Sequence, residues 1–200
     1  MSNGNSLTAP RRTKRKAGRP IGPRLLPVHD PAPEVAELLA GMPHRHGKPL
    51  NVFATLAHHP RLLKRMNVFG GLFLAHSTIP LREREIVILR AAWRAGCVYE
   101  FGQHTLIGKD AGLTADEISG LGGGPHDWSP PDRLLVGVAD QIHARARLDD
   151  ATWTKLHDAY GDISAIELVF LAGFYRMLAG FLTTVGVEAE EGVPGWPLPS

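Results

Sequence analysis

The sequence predicts an all-α fold, an inference that rests on three observations. Apolar residues recur at helical spacing through most of the chain between residues 33 and 187. Prolines and glycines separate these periodic segments at positions typical of helix ends. No segment shows a convincing strand pattern. Two hundred residues with 44% hydrophobic content suffice for one core, so we expect one domain over 33–190, an irregular tail over 191–200 and an arm over 1–32.

The arm is predicted to be disordered, because it is rich in proline and lysine or arginine and has no hydrophobic period. Residues 1–24 hold seven of the 22 basic residues and none of the 20 acidic residues. Such a segment could contact nucleic acid or direct the protein to a compartment. A charge run without interleaved aromatic residues is more typical of a solvated extension, so we do not expect nucleic-acid binding.

The remaining composition indicates a cytoplasmic protein without membrane contact. The N-terminus lacks the apolar segment of a secretory signal, and the single cysteine fits a reducing compartment. The most apolar stretch, 168–187, contains Arg176 and several glycines. We therefore interpret it as a buried helix and not as a membrane span.

Three helices are predicted in the first part of the domain. Two short helices, 34–41 and 50–57, lie on either side of a loop over 42–48, and Pro33 suits the first turn of the first one. A longer helix runs from 60 to about 75 with one broad apolar face. Its apolar residues are Leu62, Leu63, Met66, Phe69, Leu72 and Phe73.

The central segment predicts two longer helices and a short one. An amphipathic helix over 81–95 ends at Gly96, and the next helix covers 97–111. Thr114 starts the short helix, and Glu117, three residues later, completes the pattern of a capping box.

The last part of the domain predicts three helices after a loop rich in glycine and proline. The first covers 132–147, and the second starts at Asp149 or Asp150 and continues to 160. The third is the long apolar helix over 163–187.

Four residues in and before the 97–111 helix could carry proton-transfer chemistry. Glu100 and His104 follow Cys97, the only cysteine, by three and seven residues, which places the three on one helix face. Glu85 precedes Cys97 by twelve residues and could reach the same pocket from the preceding helix. A thiol, two carboxylates and an imidazole at one point can act as an acid–base relay.

Each of these residues also has an ordinary structural interpretation. Cys97 at a helix N-terminus is expected to have a lowered pKa, although a lone cysteine is more often a small core residue. Apolar neighbours would raise the pKa of Glu100 for proton transfer, whereas on a solvent-facing side it would be a surface residue. Cys97, Glu100 and His104 could also bind a metal, but their spacing is unusual for zinc and we expect none.

At these residues the sequence resembles the carboxymuconolactone decarboxylase family, which includes the alkylhydroperoxidase D-like proteins. The redox branch of that family has Glu, eleven residues, then C-x2-C-x3-H. Glu85, Cys97 and His104 match this pattern, while Glu100 replaces the second cysteine. The resemblance covers roughly 50–119 and, more loosely, 140–187. It implies an alkylhydroperoxidase D-like helical bundle that forms a homo-oligomer, often a trimer or hexamer, with a pocket between helices near a subunit interface.

The resemblance and the residues together predict a cofactor-free acid–base enzyme acting on a small carboxylated lactone or organic acid, as a decarboxylase does. Glu100 and His104 would transfer protons, Glu85 would position or tune them, and Cys97 would assist or line the site. Two alternatives stay open: hydroperoxide reduction by Cys97 with an external thiol, and a non-catalytic oligomeric binding module. Arg94 and Arg90 are the candidates for holding a substrate carboxylate. The expected substrate-binding residues are Arg94, Tyr99 and His143.

Overall fold

The computed structural model of the protein describes residues 22–197, and within them it is mostly helical. The predicted all-α class is therefore confirmed for this part of the chain. The helices are α1 (Pro33–Ala40), α2 (Asn51–Leu56), α3 (Pro60–Ala75), α4 (Leu81–Ala95), α5 (Val98–Asp110), α6 (Ala115–Leu121), α7 (Pro130–Arg145) and α8 (Asp150–Val185), and two strands, β1 (His44–Arg45) and β2 (Lys48–Pro49), lie between α1 and α2.

The strands correct the prediction of a plain loop between α1 and α2. His44 pairs with Pro49 and Arg45 with Lys48 in an antiparallel hairpin. The two residues at its tip have positive φ angles, +49° at His46 and +75° at Gly47. This is the backbone geometry of a tight two-residue hairpin turn. Strands of two residues are too short to show an alternating pattern in the sequence.

α4 is the central helix, and the rest of the fold packs around it. Ile86, Val87, Ile88 and Leu89 are consecutive and all fully buried, so the helix is covered on every side. α5, α7 and α8 provide most of this cover. The helix ends as predicted at Gly96, whose φ of +70° turns the chain back along α4 into α5.

α8 combines two of the predicted helices. Gly161 interrupts it with φ +67° and ψ −179°, which breaks the helix between the segments predicted over 149–160 and 163–187. By length and composition alone α8 could span a membrane, and 44% of its most apolar window is buried in the protein. Leu168 and Leu171 on its inner face are fully buried in the core against α4 and α7.

Both ends of the described chain pack on the helical domain. Most of the predicted arm, residues 1–21, lies outside the described residues. Further along, the Arg24 amide donates to the Val185 carbonyl at 2.7 Å and the Val28 amide donates to the Ala54 carbonyl at 3.0 Å. Residues 191–197 have no helix or strand, and Trp196 packs against Trp93 with ring centroids 4.8 Å apart.

Candidate functional site

A cavity of about 340 Å³ lies between α2, α3, α5 and α8. Its wall is mostly apolar, and three ionisable side chains, Tyr99, Glu100 and His104, line it from α5. Glu100 and His104 are four residues apart and therefore occupy neighbouring turns of the same helix face. The apolar part of the wall includes Val52, Phe53, Met66, Leu74, Phe174 and Leu178.

His104 is held by a buried carboxylate from the central helix. Its Nδ1 lies 2.6 Å from Oε2 of Glu85, and its ring packs edge-on against Tyr175 with centroids 5.0 Å apart. Because a carboxylate can only accept, Nδ1 carries the proton and Nε2 stays free as an acceptor. This is the orientation that a general base requires.

Glu85 is in turn fixed by its neighbour, Arg84. The Arg84 Nε donates to Oε1 of Glu85 at 3.1 Å, and Nη1 donates to the carbonyls of Phe73 at 2.9 Å and Leu74 at 3.0 Å. Glu85 is fully buried and Arg84 is only 6% exposed. Glu85 thus contacts His104 from the preceding helix, and Arg84 is a further buried member of the network.

Glu100 is the second group that can transfer a proton at this cavity. It is only 2% exposed, and neither carboxyl oxygen has a hydrogen-bond partner among the described residues. Burial without compensation favours the neutral acid, so the pKa of Glu100 is raised well above its ordinary value. In its protonated form Glu100 can donate a proton to a ligand in the cavity.

Cys97 lies behind the wall of the cavity and does not line it. It precedes α5 as its N-cap residue, is 2% exposed and packs in a hydrophobic cluster with Leu182. Burial is the main reason that the pKa of the Cys97 thiol is raised to about 12. The backbone N–H groups of Tyr99 and Glu100 favour the thiolate, but their effect is smaller. The predicted lowering of this pKa is therefore wrong.

A carboxylate from the C-terminal segment organises one side of the cavity. Glu190 Oε1 accepts hydrogen bonds from the Asn51 amide at 2.6 Å and from the Tyr99 hydroxyl at 3.0 Å, and Oε2 accepts from Nε2 of Gln103. The Tyr99 hydroxyl also accepts from the Val52 amide at 3.2 Å. Burial, and then the charge of Glu190, raise the pKa of Tyr99 well above its ordinary value. The sequence gives no signal for Glu190, because it lies in an irregular segment far from α5.

The structure does not bring Arg94 or His143 to this cavity. Arg94 lies nine residues after Glu85, which at 3.6 residues per turn is the opposite side of α4. It is partly exposed, and its Nε lies 3.5 Å from Oδ1 of Asp140 on α7. Arg90 also faces α7, with two hydrogen bonds to Asp140 at 2.7 and 2.9 Å. His143 belongs to the same α7 side, so these predicted contacts with a substrate are absent from the described cavity.

The segment from α3 to α6 includes Glu85, Glu100 and His104 and matches a known sequence family. Residues 60–122 match the model of the carboxymuconolactone decarboxylase family. Within the family pattern, Glu100 at the position of the second cysteine lines the cavity, whereas Cys97 at the position of the first does not. No curated protein sequence matches the chain.

Solved structures show the same fold. One is the alkylhydroperoxidase AhpD core, an uncharacterized peroxidase-related protein from Ralstonia eutropha JMP134, with a TM-score of 0.72 and 17% identity over 85% of this chain and 93% of that one. Another uncharacterized peroxidase-related protein, from Silicibacter sp. TM1040, has a TM-score of 0.71 and 19% identity over 92% of this chain and 97% of that one. The debrominase Bmp8 has a TM-score of 0.70 and 18% identity over 84% of this chain and 92% of that one. At these identities the likeness establishes the fold.

Proposed function

We propose that the protein is a cofactor-free acid–base enzyme that moves protons on a small organic molecule. His104 is the general base and Glu100 the general acid. One observation supports this most: a buried, unpartnered carboxyl and an imidazole whose Nε2 has no partner among the described residues lie one turn apart on the wall of the same apolar cavity. Perturbed titratable groups in a cavity are typical of sites that transfer protons.

The proposed reaction starts when His104 Nε2 removes a proton from a carbon next to a carbonyl group of the substrate. The electron pair of that C–H bond moves into an enolate, and Glu100 donates its proton to the enolate at oxygen or at another carbon. Water then returns the proton from His104 to Glu100. Glu85 is a positioning residue, because it fixes the imidazole and stabilises the imidazolium that forms.

Decarboxylation of a carboxylated lactone, the reaction implied by the family resemblance, would use the same proton donor. Loss of carbon dioxide leaves an enolate, which Glu100 could protonate. The cations predicted to hold the substrate carboxylate, Arg90 and Arg94, pair instead with Asp140 on the α7 side. The proton-transfer part of the proposal therefore has more support than the carboxylated substrate.

Peroxide reduction by Cys97 is the less supported enzyme function. The thiol is buried, lies outside the cavity wall and has a raised pKa, whereas a nucleophilic cysteine needs an accessible thiolate. A non-catalytic binding module is also less supported, because an unpaired buried carboxyl lowers stability and has no use in a scaffold. A debrominase of this fold, solved in complex with 2,3,4-tribromopyrrole, supports a small ring compound as ligand.

The test is exchange of carbon-bound hydrogen with solvent deuterium, followed by NMR across a set of small ketones, lactones and cyclic acids. We expect exchange with at least one compound, and a loss of at least ~100-fold in rate in Glu100→Gln and in His104→Ala. Glu37→Gln, an exposed carboxyl on α1, is the matched control and should keep the wild-type rate. Retained exchange in both site variants would refute the proposal.

We also propose that the protein forms a homo-oligomer through the outer faces of α3 and α8. The large apolar side chains Ile163, Ile166, Phe170 and Met177 recur at helical spacing along α8 and are between 53% and 71% exposed. Phe69 of α3 extends the stripe and contacts Phe170 with ring centroids 6.5 Å apart. A contiguous apolar surface of this kind is typical of a protein–protein interface.

A further inference from the structure

The polar groups of the cavity wall carry little net charge. Beside the apolar side chains, the wall contains two amides, Asn67 and Gln103, the three ionisable groups already described on α5, and the phenol of Tyr175 on α8. No lysine or arginine within residues 22–197 lines it. The closest guanidinium to His104 in this network, that of Arg84, is already bound to Glu85 and to two backbone carbonyls.

The charges around the cavity also balance within the protein. Burial favours the neutral form of Glu100 by raising its pKa, and the Glu85 carboxylate is paired with the Arg84 guanidinium. A carboxylate ligand would enter this space without a cation to receive it, next to a fully buried carboxylate. Removing an ion from water without a partner costs several kcal/mol, whereas an uncharged molecule avoids most of that cost.

We infer that the ligand of this cavity is an uncharged, mostly apolar ring compound with one carbonyl or hydroxyl group that hydrogen-bonds to Glu100. Both oxygens of Glu100 lack a partner among the described residues, while Tyr99 and Gln103 are already bound to Glu190. The volume of about 340 Å³ is at the lower end of the range for small-molecule sites. The inference rests on the proposed function in placing the substrate in this cavity, and it replaces a carboxylated substrate.

Binding of two probes of nearly the same shape tests this inference. Para-fluorobenzamide is neutral and para-fluorobenzoate is an anion, and fluorine NMR reports the binding of each to the full chain. We expect the amide to bind at least ~10-fold more tightly at neutral pH, a difference of about 1.4 kcal/mol. Equal or tighter binding of the benzoate, or no binding of the amide at millimolar concentration, would overturn the inference.

Two variants show whether the probes bind in the cavity and respond to its charge. Asn67→Arg adds a cation to the wall and should raise benzoate affinity at least ~10-fold. Gly71 lines the cavity, and a Cβ there would meet no heavy atom within 4 Å, so Gly71→Phe adds bulk at the wall without a backbone clash. It should weaken amide binding. Unchanged amide affinity in this variant would place the probe elsewhere and would also overturn the inference.

The binding result is separable from the proposed function because the probes do not react. A preference for the benzoate, with deuterium exchange still dependent on Glu100 and His104, would refute the inference and leave the proposed function standing. A preference for the amide without any deuterium exchange would support the inference and refute the proposed function.

Discussion

The buried carboxyl group of Glu100 makes no hydrogen bond that would stabilise the described part of the fold. Its oxygens are buried without partners among residues 22–197, while Glu85, one helix away, is bound to both Arg84 and His104. The two carboxyls therefore have opposite environments and different roles. Glu100 faces the cavity with a raised pKa, and Glu85 is hydrogen-bonded to the imidazole of His104.

Stability should depend on pH through Glu100. Because the folded protein holds a proton that the unfolded chain releases, wild-type stability falls as pH rises above the ordinary glutamate pKa of about 4.3. Because a glutamine side chain does not titrate, Glu100→Gln does not have this decrease in stability. We expect its melting temperature to exceed that of wild type by a margin that widens as pH rises from the ordinary glutamate range towards the raised pKa of Glu100. Thermal unfolding followed by circular dichroism measures the margin.

Glu37→Gln, an exposed change of the same chemistry, should leave the melting temperature nearly unchanged at every pH. A margin for Glu100→Gln that stays constant with pH would contradict the raised pKa of Glu100.

The sequence predicted part of this arrangement for a clear reason. The spacing of Glu100 and His104 fixes their common helix face regardless of the tertiary fold. The position of Arg84 was not predictable, since alternating charges in Arg82–Glu85 are typical of a surface. The burial of Cys97 depends on Leu182 and other residues far along the chain.

At the scale of the elements, α5 packs closely against the C-terminal segment, residues 191–197. Gly102 faces this segment, and a Cβ added there would lie 2.2 Å from the Pro194 carbonyl oxygen. Trp196 continues the contact by packing against Phe101, with ring centroids 5.1 Å apart. The C-terminal segment therefore covers one face of α5, the helix that carries Glu100 and His104.

Gly102→Ala should destabilise the protein by about 1–3 kcal/mol, because the tail or α5 must shift to relieve the clash. Gly180→Ala is the matched control, since a Cβ at that position on α8 would meet no heavy atom within 4 Å. It should stabilise the protein by about 0.4–1 kcal/mol. Urea unfolding of both variants provides the comparison, and equal effects would contradict the packing of the tail on α5.

Most element boundaries followed from local signals. Pro33, Pro60 and Gly96 mark helix ends as predicted, and the Thr114 capping box is present in the structure. The β1–β2 hairpin was missed, because its pairing depends on two residues of positive φ and not on an apolar pattern.

At the scale of the whole molecule, the described chain leaves the outer apolar stripe of α8 uncovered. The inner face of the helix fills the core, so the outer apolar residues have no role in the monomer. This long-range arrangement was not predictable from the sequence, because apolar residues lie all around α8. The oligomer implied by the family resemblance gives this face a use.

Sedimentation velocity should show wild-type protein as an oligomer at micromolar concentration. Phe170→Glu together with Met177→Glu places two charges on the stripe and should shift the protein to monomers with unchanged helix content. The exposed change Glu191→Lys, outside the stripe, is the control and should keep the oligomer. A monomeric wild-type protein would contradict the proposed interface.

The protonation state of Glu100 is the most direct test of the proposed site. Carbon-detected NMR of a chain labelled at the glutamate side-chain carboxyls, with Glu100→Gln for assignment, gives the titration of this single group. The proposed role as a general acid requires a neutral carboxyl at neutral pH, with a pKa well above its ordinary value. An ionised carboxylate at neutral pH, titrating in the ordinary glutamate range, would contradict that role.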